Sequence, residues 1–247
     1  MKTTLQIIAL RKTRYSDRYA VLSAFSRERG RVSLLIPDGN GKSTAAMRAL
    51  LMPLSVVECE VDIRPGRDIF SAGRVTPLAV MPTLRSHPLK QIVAMFLSEL
   101  INGLLRDSSA DERLFDFITA SLNVFENMTN PIAIANFHLW MVYGLGCLAG
   151  VAPDMESWRE GSWFDFNEGI FRMTRPLQGR CLDPDEAAGL GRLSRMTPEN
   201  IGAFKFTREE RNRVLDLMIE YLSVHYSAVG ASTLTTLDIL REILADD

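Results

Sequence analysis

Between Pro77 and Pro82 the hydrophobic period of this chain changes from two residues to that of an α-helix. Ahead of that point apolar residues alternate with polar ones, as in Leu5, Ile7 and Ala9, in Val32, Leu34 and Ile36, and in Val57, Cys59, Val61 and Ile63. Beyond it, Leu89, Ile92, Val93, Phe96, Leu97, Leu100, Ile101 and Leu104 recur at steps of three and one, a one-sided stripe on a helix. A run of strands followed by a run of helices cannot interleave as βαβ units, so the expected class is α+β. The boundary divides the chain into residues 1–80 and 81–247.

The first eighty residues read as five short strands. The second runs from Arg18 to Ser26, and Glu28-Arg29-Gly30 connects it to the third with Gly30 free to take positive φ, which makes the two antiparallel neighbours. Pro37-Asp38-Gly39-Asn40-Gly41 ends the third strand, and Lys42 to Leu51 forms about two turns of helix. Arg64-Pro65-Gly66-Arg67 is a turn into a fifth strand over Ile69 to Leu78. Five strands with a helix after the third fit a small Greek-key barrel of the OB type, a fold whose open face commonly binds single strands. An SH3-like barrel shows nearly the same pattern.

In the remaining chain, residues 111–128 repeat the amphipathic theme, and residues 131–148 carry apolar side chains around most of their circumference, as a central buried helix does. Thr207 to Val229 and Thr233 to Ala245 are two further helices, the first with Thr207 and Glu210 at capping-box spacing. Between the central helix and these two lies an irregular lobe at about 151–181, in which residues 163–171 read as a hairpin turning at Asn167 to Gly169. Asp183-Pro184-Asp185-Glu186 restarts helix, with Asp183 as its cap.

Charge is distributed unevenly. Residues 1–80 hold 13 Lys and Arg against 7 Asp and Glu, a net +6, while the rest of the chain holds 15 against 23, a net −8. Clustered positive charge on one domain favours a polyanionic partner through long-range attraction and counterion release. The densest stretch is Arg27 to Arg48, with Arg27, Arg29, Arg31, Lys42 and Arg48 against Glu28 and Asp38.

Catalytic chemistry finds no foothold. Gly41-Lys42-Ser43 resembles the end of a phosphate-binding loop, but that motif needs glycine where Ile36 stands. His87, His138 and His225 lie on separate segments without metal-ligand spacing, and His138 on an apolar helix reads as a core group. The acids at 183, 185 and 186 are accounted for by the helix dipole. Cys59, Cys147 and Cys181 are odd in number and widely separated, which opposes a disulfide framework and a zinc knuckle and favours buried thiols. The apolar run at the N-terminus is short for a signal peptide and no long uninterrupted apolar window follows, so the expectation is a cytoplasmic protein with no membrane span, no cofactor, no metal and no enzymatic activity.

In order of appearance, the motifs LRKTRYSD, YAVLSAFSRERGRVSLLI, GKST leading to LMPLSVVECEV, ANFHLWMVYGLGCLAGVAPD, FDFNEGIF followed by CLDPDEA, and TLTTLDILREIL resemble the bacterial recombination mediator family RecO across nearly the whole chain. That resemblance implies an OB-fold head, a helical body and a small lobe. It also implies binding of single- and double-stranded DNA, annealing of complementary strands, and help for a recombinase in replacing single-strand-binding protein, with RecR and the C-terminal tail of single-strand-binding protein as partners. Many members bind zinc through four lobe cysteines. Here only Cys181 falls at the lobe's edge, so the lobe is expected to be held by Trp158, Trp163, Phe164 and Phe171. Thr235 and Asn136 stand where members carry basic residues, and Pro37-Asp38-Gly39-Asn40 replaces a basic turn.

The residues expected to neutralise phosphates are Arg11, Lys12, Arg14, Arg27, Arg29, Arg31, Lys42, Arg48, Arg67 and Arg74, with Tyr15, Tyr19 or Phe70 as base-stacking aromatics. Lys205, Arg208, Arg211 and Arg213 are expected to rim a groove for an acidic, apolar partner tail. An RNA-binding or RNA-processing accessory protein would share the basic barrel.

Overall fold

A computed structural model describes residues 2–106 and 108–244 and divides into two compact units, Met1–Asn127 and Met128–Asp247. In the first, β1 (Lys2–Arg14), β2 (Tyr19–Ser26), β3 (Gly30–Pro37), β4 (Val56–Asp62) and β5 (Ile69–Pro77) close into a barrel in the order β1-β2-β3-β5-β4, with α1 (Lys42–Leu50) between β3 and β4. This is the expected OB-like arrangement. The inward rows are those that the period of two picked out: Leu5, Ile7 and Ala9, Ala20, Leu22 and Ala24, Val32, Leu34 and Ile36, and Val57, Cys59 and Val61.

Two features of β1 let five strands close. Its first half pairs with β4 (Lys2↔Asp62 to Ile8↔Val56) and its second with β2 (Ile7↔Ser26 to Arg14↔Ala20), so one strand serves both edges. A register shift between Ala9 and Arg11 bends it where it changes partner. Closure is completed by the parallel pairing of β3 with β5, Ser33↔Ile69 to Leu35↔Ser71.

The same unit carries α2 (Pro82–Ser86), α3 (Pro88–Leu104) and α4 (Glu112–Asn127). Pro88 excludes helical geometry at His87, which sits at φ −85 and ψ 119, so α2 and α3 are separate helices. No side chain of its own caps α2; Glu126 accepts the N–H groups of Thr83 and Leu84 at 2.8 Å instead. Ser98 on α3 donates to the Leu10 carbonyl at 2.6 Å, tying the helix to the bulge of β1.

The second unit is built on α5 (Pro131–Leu148). Among the described residues it is the helix long and apolar enough to cross a membrane, yet most of it is buried by its neighbours within the unit, as expected for a core helix. Asn130 caps it by accepting the Ala133 N–H. The lobe is a three-stranded sheet, β6 (Trp163–Asp165), β7 (Ile170–Arg172) and β8 (Cys181–Leu182), in the order β7-β6-β8, and the turn between β6 and β7 uses Gly169 at φ +67. Phe164 and Phe171 are buried as expected. Phe166 is buried too, and Phe164 and Phe166 both meet the edge of Tyr221, while Trp158 and Trp163 stay half-buried.

After the lobe come α6 (Pro184–Leu193), α7 (Arg208–His225) and α8 (Leu237–Ile243). Asp183 caps α6 through the Glu186 N–H, and Thr207 with Glu210 forms the capping box on α7. The last two helices are shorter than the sequence indicated. Tyr226 at ψ 97 ends α7, and turns occupy residues 227–233 before α8 begins after Thr236. Ala245, the expected end of the last helix, lies outside the described residues. Of the thiols expected to be buried only Cys59 is, and burial pushes its pKa up to about 11; Cys147 is exposed and Cys181 intermediate.

Candidate nucleic-acid interface

Residues paired across neighbouring strands share a face, so the registers define the outer surface of the barrel. One row runs Arg11, Ser23, Ser33, Ile69 across β1, β2, β3 and β5; the next runs Thr13, Val21, Leu35, Ser71; and Tyr19 lies opposite Pro37. The turns at residues 15–18 and 63–68 border this surface. Together they form a cleft of about 340 Å³ lined by Tyr15, Leu35, Arg67, Asp68, Ile69 and Ser71. Tyr15 is 64% exposed and Tyr19 43% exposed, so both rings are open to a ligand, whereas Phe70 packs against the barrel core.

The ten cations expected to form one patch are distributed around the barrel. Arg11 and Arg67 belong to the face just described. Arg14 closes β1 nearby and pairs with Asp17 at 2.6 Å. Lys12 and Arg48 converge on Asp38, at 3.0 and 3.5 Å, and Lys42 opens α1 in solvent. Arg29 is exposed on the β2–β3 connection. Arg18, absent from the expected set, is exposed in the β1–β2 turn; its position between Asp17 and Tyr19 was the available signal.

Three of the ten sit elsewhere. Arg27 pairs with Asp116 and Glu112 of α4 and lies 5.8 Å from the centre of the Phe115 ring; the Asp116 hydrogen bond holds its pKa above the usual guanidinium value. Arg31 is half-buried and donates to the Asn102 carbonyl at 3.2 Å and to Ser23 Oγ at 2.8 Å. Arg74 lines a polar cleft with Thr4, Glu58, Glu60 and Thr76 on the β1–β4–β5 side, where the two glutamates offset its charge.

In the second unit Lys205 and Arg208 are exposed, Arg213 pairs with Glu186, and Arg211 is buried, donating to Asn136 Oδ1 at 3.2 Å and approaching the Phe206 carbonyl at 3.5 Å. Arg211 is therefore a part of the core and not of a rim. Arg192 lies outside the expected set as well: its guanidinium stacks 3.9 Å above the Phe206 ring and donates to the Lys205 carbonyl and to Glu210. The Thr207 N–H keeps the Glu210 carboxyl below its ordinary range.

Residues 1–80, the barrel, match the family described as Recombination protein O N terminal, and residues 85–230 match Recombination protein O C terminal. The chain belongs to the recombination protein O family. It is 35% identical over 224 residues to the DNA repair protein RecO of Porphyromonas gingivalis, covering 88% of this chain and 90% of that one. It is 31% identical over 238 residues to that of Phocaeicola vulgatus (96% and 97%), and 24% identical over 246 residues to that of Flavobacterium johnsoniae (99% and 100%). Both halves of the family pattern are thus present in one chain, in the order that the motifs indicated.

Proposed function

We propose that this chain serves DNA repair as a DNA-binding recombination mediator. It binds single-stranded DNA on the β1–β2–β3–β5 face, anneals complementary strands, and helps a recombinase to load onto strands coated by single-strand-binding protein. The observation that carries this reading is the convergence of Arg11, Tyr19, Tyr15 and Arg67 on one open barrel face. Cations there neutralise phosphates while the rings stack bases, and annealing then requires only that repulsion between two strands be masked while base edges stay accessible. Duplex DNA uses the phosphate contacts alone. The cytoplasm is where such a reaction takes place. RecR and the acidic tail of single-strand-binding protein are the proposed protein partners. For the tail, the proposed cations are the exposed Lys205 and Arg208, with Arg192 stacked on Phe206 and Arg213 exposed but paired with Glu186.

The test is fluorescence anisotropy of labelled single-stranded DNA across a salt series. Replacing Arg11 and Arg67 together by Ala is expected to weaken binding and to flatten the dependence of log K on log salt by about 0.7 for each phosphate that is no longer neutralised. An unchanged affinity and slope would refute the barrel face as the DNA site.

A further inference from the structure

We infer that the cleft between the β1–β2 and β4–β5 turns is a pocket for a single unpaired nucleobase, and that Asp68 makes it prefer guanine. This rests on the nucleic-acid reading of the same face and adds a selectivity to it.

The cleft has three kinds of wall. Leu35 and Ile69, diagonal neighbours on the same face of the parallel β3–β5 pair, supply an apolar floor. Tyr15 supplies an exposed ring at the side, and stacking on such a ring suits any base. Arg67, Asp68 and Ser71 supply polar groups. A volume of about 340 Å³ stands at the small end of ligand pockets, suited to one planar group and far too small for a duplex.

Asp68 is the residue that a purely electrostatic grip on DNA does not explain. A carboxylate beside a phosphate-binding arginine repels the backbone that Arg67 attracts. The groups in a nucleic acid that a carboxylate favours are the N–H donors on base edges. Among the four DNA bases, only guanine carries two adjacent donors on its Watson–Crick edge, N1–H and the 2-amino group, which match the two carboxylate oxygens. Cytosine and adenine each present one amino donor flanked by an acceptor, and thymine presents N3–H between two carbonyls. A base lying on Leu35 and Ile69 and stacked on Tyr15 directs that edge toward the polar wall, with Arg67 left for the adjoining phosphate. The edge is available only when the base is unpaired, so the pocket reads single strands.

The experiment measures affinity of the full chain for a short oligothymidylate in which one central residue is thymidine, deoxyguanosine, deoxyinosine, deoxyadenosine or deoxycytidine. The guanine oligonucleotide is expected to bind roughly fivefold to tenfold more tightly than the all-thymine one, as a paired base contact of moderate strength gives. Inosine, which lacks the 2-amino group, should fall between them. In Asp68→Asn, an exposed turn substitution, the guanine-to-thymine ratio should collapse to about one. Equal affinity for all five oligonucleotides, or a guanine preference that survives Asp68→Asn, overturns the inference. Salt-dependent binding of oligothymidylate without guanine preference overturns this inference alone, whereas failure to bind any of the five overturns the DNA-binding reading with it.

Discussion

Gly30 is where the β2–β3 hairpin is fastened to the connection between α3 and α4 in its own unit, and replacing it tests that attachment. It sits at φ +71, and a Cβ added there would stand far inside contact distance of the Ser109 carbonyl carbon and the Ser108 and Ser109 carbonyl oxygens. All three are backbone atoms, so no rotamer change relieves the overlap. The Ser108 carbonyl also accepts the Arg31 N–H at 3.1 Å, so moving residues 108 and 109 away breaks a bond that holds the start of β3. The expected cost of Gly30→Ala has three parts. The left-handed backbone contributes about 1–2 kcal/mol, the broken hydrogen bond about 1 kcal/mol, and overpacking at least about 1 kcal/mol. The total is roughly 3–5 kcal/mol. Gly66, at φ +74 with nothing within 4 Å of its added Cβ, supplies the reference, because Gly66→Ala incurs only the backbone part. Urea unfolding followed by far-ultraviolet circular dichroism gives both values. If Gly30→Ala costs no more than Gly66→Ala, the clamp between the hairpin and residues 108–109 contributes nothing and the reasoning fails.

Two further outcomes are expected. Glu112→Gln with Asp116→Asn releases Arg27 to join the phosphate contacts, so single-stranded DNA should bind more tightly at low salt, with a salt slope steeper by about 0.7; an unchanged slope in the anisotropy assay would leave Arg27 as a structural group only. Burial, with the charge of Arg211 adding to it, drives the pKa of His138 from 6.5 down to about 3. Below pH 6.5 the unfolded chain takes up a proton that the folded chain refuses, so this group's contribution to stability falls as pH drops from 6.5 toward 3, by up to about 1.4 kcal/mol per pH unit. Urea unfolding at several pH values should show a shallower fall in His138→Gln than in the parent chain, and identical slopes would refute the assignment.

The fold was readable because its signals are local. Alternation in β1, β3 and β4 marks the barrel rows, Gly30 and Gly66 mark turns that need positive φ, and the capping residues Asp183 and Thr207 mark helix starts. What was hidden depends on groups far apart in sequence. Arg27 finds Glu112 and Asp116 at separations of 85 and 89 residues, and Arg211 finds Asn136 at 75. Nothing near Arg27 distinguishes it from Arg29, although one is bound to α4 and the other faces water. The cleft was hidden for a related reason: Tyr15 and Arg67 belong to different turns that only barrel closure brings together, and the alternation in β3 shows which face is inward without naming β5 as its parallel neighbour.

Exposure then separates the cations by how readily they change partner. Lys12 and Arg48 hold Asp38 with side chains 37% and 48% exposed, and ion pairs of that kind contribute between about zero and 1 kcal/mol, so a phosphate can take the place of the carboxylate at little cost. Asp38 lowers the local field without locking those two cations in place. Arg31 and Arg211 differ in kind: each guanidinium bonds a neutral carbonyl or side-chain oxygen in a half-buried or buried setting, and pulling it out strands that acceptor and leaves a void. Substituting Arg31 therefore lowers stability in the first place, and any fall in DNA affinity follows from a loosened hairpin. A cluster of arginines in a sequence is thus two populations in the fold, and only the exchangeable one is available to a polyanion.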